Sequence, residues 1–227
     1  MAEENKLPIY KKIYKEKEVD NNNMLPGDRN GSPDEFFNPT LVFIDAGFLS
    51  KLSRYFGGGK YLNYDILEFA KNLAKKEKLI CQKIFYYTAP PFQSNNPSKE
   101  EEKRKEGYDK FVKKLRQEKV IVKEGRCQRL KIDGEYIYNQ KAVDILMAMD
   151  LMNVPLSFPE IKEIILIATD SDFVPVVEQL KEKGIKVILY IYYIKRRNTN
   201  LSRSNHLLRA VSKHIKITKK DFDFPLR

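Results

Sequence analysis

The stretch Ile164-Ile165-Leu166-Ile167-Ala168-Thr169-Asp170-Ser171-Asp172-Phe173 limits the possible folds more than any other part of the chain. A short run rich in β-branched residues reads as a strand buried on both faces, the kind found in parallel sheets. Two aspartates separated by one serine then stand at its carboxyl end. Phe173 to Leu180 has helical spacing, and Pro175 fits the first turn if Ser171 or Asp172 is the N-cap. Gly184 stops the helix, and Ile185 to Ile191 reads as the next strand. The stretch therefore opens a β-α-β unit with Asp170 and Asp172 on its strand-to-helix turn, where open parallel sheets place their ligand sites.

The same layout occurs earlier. Leu41-Val42-Phe43-Ile44-Asp45 is an apolar strand ending in an aspartate, and Ala46-Gly47 behind it is small enough for close backbone approach. Tyr64 to Lys76 has helical spacing and Leu79 to Thr88 reads as a strand. Ser98 opens a charged helix reaching about Glu118, with Tyr108, Phe111, Val112 and Leu115 as its apolar stripe. Val120 to Val122 is a short strand, a hairpin turns about Asp133-Gly134, and a helix rich in Met and Leu runs from Gln140 to Met152. Strand and helix in alternation predict an α/β fold with a mostly parallel sheet and helices on both faces. The chain of 227 residues suits one such domain. Residues 1–39, rich in Asn, Gly and Pro with little apolar periodicity, read as a flexible arm, and the domain is expected over 40–227.

Charge is unevenly placed. The net charge is +11, residues 1–40 hold six basic and eight acidic side chains, and the excess from Leu41 onward favours a polyanionic partner such as nucleic acid. Cys81 and Cys127 cannot build a Cys₄ zinc site, and His206 and His214 are too few for a His-rich one. Reduced thiols, no apolar run long enough to span a bilayer and no signal-peptide core lead to the expectation of a cytoplasmic protein without membrane contact. Gly57-Gly58-Gly59-Lys60 fails as a phosphate-binding loop, because Arg54 stands where the first glycine belongs and Tyr61 where Ser or Thr would hold magnesium.

The chemistry resides in the acids. In a doubly wound sheet the first strands of the two halves are neighbours. If those are the strands ending at Asp45 and Asp170, their carboxylates meet at one crevice. Asp144 joins them from the helix preceding the second strand. On that helix Lys141 and Asp144, three apart, are expected to share a face, which allows either an ion pair or a site. Asp150 is expected at the surface or in a cap. Like charges that close need a counter-ion or a proton, and an all-oxygen cluster suits Mg²⁺ or Mn²⁺.

Phe43-Ile44-Asp45, Lys141-Ala142-Val143-Asp144 and Ala168-Thr169-Asp170-Ser171-Asp172-Phe173-Val174-Pro175, with Gly184 closing the helix, resemble the NYN domain of the LabA-like group within the PIN-like nuclease superfamily. The similarity spans about Leu41 to Ile217. It implies a Rossmann-like three-layer α/β/α sandwich with strand order 3-2-1-4-5 and a metal-dependent ribonuclease site. Asp45, Asp144 and Asp170 would then be the metal-binding acids, Asp172 a fourth acid or a group supporting them, and Lys141 a further site residue. Thr169 and Ser171 beside the aspartates are candidate substrate contacts. Many family members carry asparagine three residues after the first aspartate, where this chain has Phe48.

RNA is the expected partner. The segment from Lys195 to Arg227, with ten basic and two acidic residues, is expected to gather it, chiefly through Lys195, Arg196, Arg197 and Arg203. The exposed hairpin from Arg126 to Tyr138 is open to substrate or to a second subunit, and a homodimer is compatible with the sequence. The main rival is a non-catalytic RNA-binding or regulatory module that keeps the acidic pocket. A phosphotransfer enzyme using Asp45 as nucleophile would want an acid where Gly47 stands, and a topoisomerase-primase-like site would leave Asp45 and Asp144 unused.

Overall fold

A computed structural model describes residues 37–194, 201 and 204–223. Most of the expected arm, and Lys195, Arg196, Arg197 and Arg203, lie outside the described residues. The first strand, β1 (Asn38–Asp45), begins two residues before Thr40 and sits at the centre of a six-stranded parallel sheet. Its Leu41, Val42, Phe43 and Ile44 are fully buried, because helices cover both faces and no alternation of polar residues is tolerated. After β1 come α1 (Ala46–Phe56), α2 (Ile66–Lys76) and β2 (Leu79–Thr88), which pairs with β1 from Asn38↔Leu79 to Asp45↔Tyr87. Phe43 stacks on Phe85 across that pair, ring centroids 4.8 Å apart and ring planes nearly parallel. Next, α3 (Lys99–Gln117) starts with a reciprocal cap between Ser98 and Glu101 and leads to β3 (Ile121–Glu124).

The chain then leaves the sheet for a two-stranded hairpin, β4 (Arg126–Ile132) and β5 (Glu135–Lys141). Asp133 and Gly134 both have positive φ, as a two-residue turn requires. The second half comprises α4 (Val143–Ser157), β6 (Glu163–Ile167), a 3₁₀ turn at Ser171–Phe173, α5 (Val174–Glu182) and β7 (Lys186–Ile191). It ends with α6 (Asn205–Ala210), β8 (Lys213–Lys216) and a second 3₁₀ turn, Lys219–Phe222. Strand order is β3-β2-β1-β6-β7-β8. Without the separate hairpin this is the expected 3-2-1-4-5 order, extended by one edge strand. Lys213-His214-Ile215-Lys216 gave no strand signal because only Ile215 is even half-buried.

Two expectations are corrected here. Gln140 and Lys141 belong to β5, and the helix begins at Val143 after Ala142, whose φ of 67° is left-handed. Lys141 and Asp144 therefore do not share a helical face. One side of this helix is open to solvent: Ile145, Met149, Met152 and Leu156 are exposed, Leu156 at 82%. Asp150 is neither surface nor cap. It accepts a hydrogen bond from Tyr87 Oη at 2.7 Å and pairs with Lys123 at 3.7 Å, half-buried under the sheet edge.

Asp221 closes the domain at the other end. It is buried, accepts from Thr218 N at 2.6 Å and Thr218 Oγ1 at 2.8 Å, and pairs with Lys76. Asp221→Ala strands those donors and is expected to cost about 1–3 kcal/mol, seen as a lower urea midpoint at unchanged slope.

Candidate functional site

β1 and β6 are parallel neighbours in register to Ile44↔Ile167, so their carboxyl ends are level where the sheet reverses its winding. Asp45 is the last residue of β1 and the N-cap of α1. Its Oδ1 accepts from Gly47 N at 2.8 Å and Phe48 N at 3.2 Å. Asp170, three residues past β6, caps the 3₁₀ turn in the same manner, its Oδ1 accepting from Asp172 N at 3.0 Å. Each strand thus leads to an aspartate, the last residue of β1 and the third residue past β6, at the N-terminus of the next helical turn, where free N–H groups hold a carboxylate in a set orientation. The expected cap at Ser171 or Asp172 is corrected: Asp170 caps the 3₁₀ turn, and α5, with Pro175 in its first turn, follows from Phe173 without a side-chain cap. Thr169 is half-buried beside it; Ser171 and Asp172 are exposed on the turn.

Asp144 arrives from the first turn of α4 by an unusual route. Ala142 precedes that helix in the left-handed region and provides no side-chain cap. Strain of this kind costs on the order of 1–3 kcal/mol and persists only where the surroundings impose it. The surroundings here include Gly125, at the foot of the hairpin. A Cβ at that position would lie 2.4 Å from the Lys141 carbonyl oxygen and 3.1 Å from Val143 N. Gly125→Ala is therefore expected to push the Lys141–Val143 backbone aside and misplace Asp144. The outcome should be a drop of tenfold or more in any Asp144-dependent activity, larger than the accompanying change in melting temperature accounts for.

The acids act on one another. Burial pushes the Asp45 carboxyl from 3.8 up to about 6, the Asp144 charge adds to the rise, and the two backbone N–H groups and Lys51 oppose it. Asp144 is exposed along one side and desolvated along the other; burial, then Asp170, then Asp172 raise it, against Lys51. Among the described residues none of these four carboxylates forms an ion pair. No group of three or more His, Cys, Asp or Glu side chains among the described residues stands in an arrangement that could hold a metal ion. Four acids thus share one field without a preformed cage. The donor set nevertheless fits a hard divalent cation: it is carboxylate oxygens only, and Asp45 and Asp144 are raised first by burial and then by a neighbouring carboxylate.

Two residues absent from the sequence reading belong to this neighbourhood. Lys51, exposed on α1, is the cation whose field reaches both Asp45 and Asp144. Gln140 approaches the Asp45 turn from β5: its Oε1 lies 3.5 Å, and Asp45 Oδ1 3.1 Å, from where a Gly47 Cβ would stand. Nothing in their spacing identified them, since Lys51 depends on how α1 is turned and Gln140 on a strand read as helix. Phe48 is buried in the core, and only its N–H serves the site.

His206 and Arg209 are exposed on α6, and His214 is exposed on β8. No helix among the described residues is long and apolar enough to cross a membrane. Among curated proteins none matches this chain. The NYN domain family model matches residues 39–218, from the start of β1 to beyond β8, with all four aspartates inside. NYN domains are in general nuclease-type hydrolases, and the metal-dependent ones typically use divalent ions. A match over well more than half of the sequence, on a sheet of PIN-like order, means that this chain belongs to the NYN domain family.

Proposed function

We propose that the chain is a Mg²⁺- or Mn²⁺-dependent ribonuclease that hydrolyses RNA phosphodiester bonds at the carboxyl edge of the sheet, and that it works in the cytoplasm. The observation supporting this reading is the group of carboxylates without ion-pair partners at the point where the winding reverses, with Asp45 and Asp144 raised by burial and by their acidic neighbours. Asp45, Asp144 and Asp170 would hold the cation, with Asp172 beside them. A divalent ion bound there would neutralise the phosphate and make a water more acidic. Asp45 is fixed at Oδ1 by two amides, so its other oxygen is oriented without a search over rotamers. Exposed Asp144 and Asp172 retain the freedom to close on a ligand. Lys51, whose charge reaches Asp45 and Asp144, would offset charge on the scissile phosphate, and Lys141 would act in the same sense. Thr169 and Ser171 would contact the backbone of the RNA, and Lys195, Arg196, Arg197 and Arg203 would add positive charge that attracts it.

Incubation of single-stranded RNA with the purified chain tests the reading. Cleavage is expected with Mn²⁺ or Mg²⁺ and is expected to stop on chelation; undiminished cleavage in EDTA would rule out the metal-dependent reaction. A second reading, an RNA-binding module without catalysis, is favoured by buried Phe48 where a polar group would serve substrate. RNA binding with no turnover under any divalent ion would select it.

A further inference from the structure

The β4–β5 hairpin is the largest feature that the acid site leaves unexplained. Directly paired residues of an antiparallel ladder share a face, and faces alternate along each strand. The register therefore places Cys127 with Gln140, Arg129 with Tyr138 and Lys131 with Tyr136 on one face. That face has two basic residues and no acidic one. The opposite face holds Leu130, Ile132, Ile137 and Glu135 with Arg126 and Lys141.

The rings on the first face are organised by cations. Arg129 lies between Phe92 and Tyr136, its guanidinium carbon 4.5 Å from each ring centroid. Lys131 stands 5.9 Å from the Tyr136 ring, and Phe92 meets Tyr138 at 5.8 Å. The charge of Arg129 is also felt by Glu101 at the start of α3, so Arg129 orients the rings more than it waits for a ligand. Tyr136 and Tyr138 nevertheless remain 52% and 49% exposed. Half-exposed tyrosines held in place by neighbouring cations and rings have already lost the rotamer freedom that stacking would cost.

The position of this face decides its use. Gln140, at the inner end of the row, is the residue that approaches the Asp45 turn. Going outward along β5, Tyr138 and Tyr136 follow at steps of about 7 Å. The row leads directly away from the acids.

We propose that this hairpin face is a stacking platform for single-stranded RNA, with bases on Tyr138 and Tyr136, Lys131 near the phosphates, and the strand directed along Gln140 to the aspartates. Stacking on rings is tolerant of sequence and demands unpaired bases, so the platform selects single strands over duplex. The last part rests on the nuclease reading, but binding does not. The platform needs neither metal nor turnover.

The test measures fluorescence anisotropy of a labelled single-stranded RNA 20-mer and of its duplex, in EDTA, with full-length protein. Wild type is expected to prefer the single strand. Tyr136→Ala combined with Tyr138→Ala is expected to weaken single-strand binding by tenfold or more at unchanged melting temperature, whereas the Tyr→Phe pair retains affinity. Unchanged affinity in the alanine pair would overturn the platform. So would a dimer dissociated by the same substitutions with RNA affinity intact, which would assign the face to a second copy. Failure of the nuclease reading is a separate outcome: platform-dependent binding with no cleavage in Mn²⁺ or Mg²⁺.

Discussion

Asp170→Asn is expected to abolish RNA hydrolysis while leaving the fold in place. Asparagine keeps an oxygen at the position where Asp170 accepts the Asp172 N–H, so the 3₁₀ turn retains its cap and stability should change by only a few tenths of a kcal/mol. The lost property is the negative charge that a cation would need. Removing one such electrostatic group costs on the order of 10²- to 10³-fold in turnover. Asp144→Asn, on an exposed side chain, should behave alike. The measurement is single-turnover cleavage of end-labelled RNA in saturating Mn²⁺, alongside the melting temperature of each variant. If well-folded Asp170→Asn, purified free of contaminating nuclease, cleaves at the wild-type rate, the acid cluster is not the catalytic site.

A second large effect concerns stability and runs opposite to activity. Asp45 has its carboxyl raised from 3.8 to about 6 in the folded chain, chiefly by burial. Between those values the folded state holds a proton that the unfolded state has released. Stability therefore falls as pH rises through that window and levels off above it. The loss by neutral pH is on the order of 2–3 kcal/mol, and Asp144, raised in the same direction, adds to it. Asp45→Asn keeps the oxygen that caps α1 but never has to carry the charge. The variant should match wild type near pH 4 and exceed it by that amount at pH 7.5, in urea melts at each pH. Mg²⁺ or Mn²⁺ should raise the melting temperature of wild type at pH 7.5, because it binds the charged folded state, and should do much less for Asp45→Asn. A stability difference that does not vary between pH 4 and 7.5 would show that Asp45 is not strained in its charged form.

Taken together, the two results would identify a site destabilised by its own charge. Asp45 occupies the buried end of a central strand, a poor place for a carboxylate on stability grounds alone. Its persistence there is intelligible if a cation or a substrate complex provides the compensation.

Most of the architecture was legible from residue order. Runs such as Leu41–Ile44 and Ile164–Ile167 cannot be surface strands, and alternation of such runs with helical spacing leaves few topologies. The bounds of β2 are those that its apolar run predicted, and Ser98 with Glu101 marked the start of α3 through a local cap. Errors arose where a distant contact overrode local pattern. Gln140 and Lys141 look helical because apolar residues follow them, yet pairing with Cys127 and Arg126 draws them into the hairpin. The strand β8 was invisible because an edge strand buries too little for its composition to show.

Residue order by itself determined that Asp45 and Asp170 would end buried parallel strands, since a polar group closing an apolar run has nowhere else to go. Only the tertiary structure decided which side chains accompany them. Lys51 and Gln140 reach that edge through helix rotation and strand register, and Asp144 through the close approach at Gly125; all are set by packing between segments far apart in the chain.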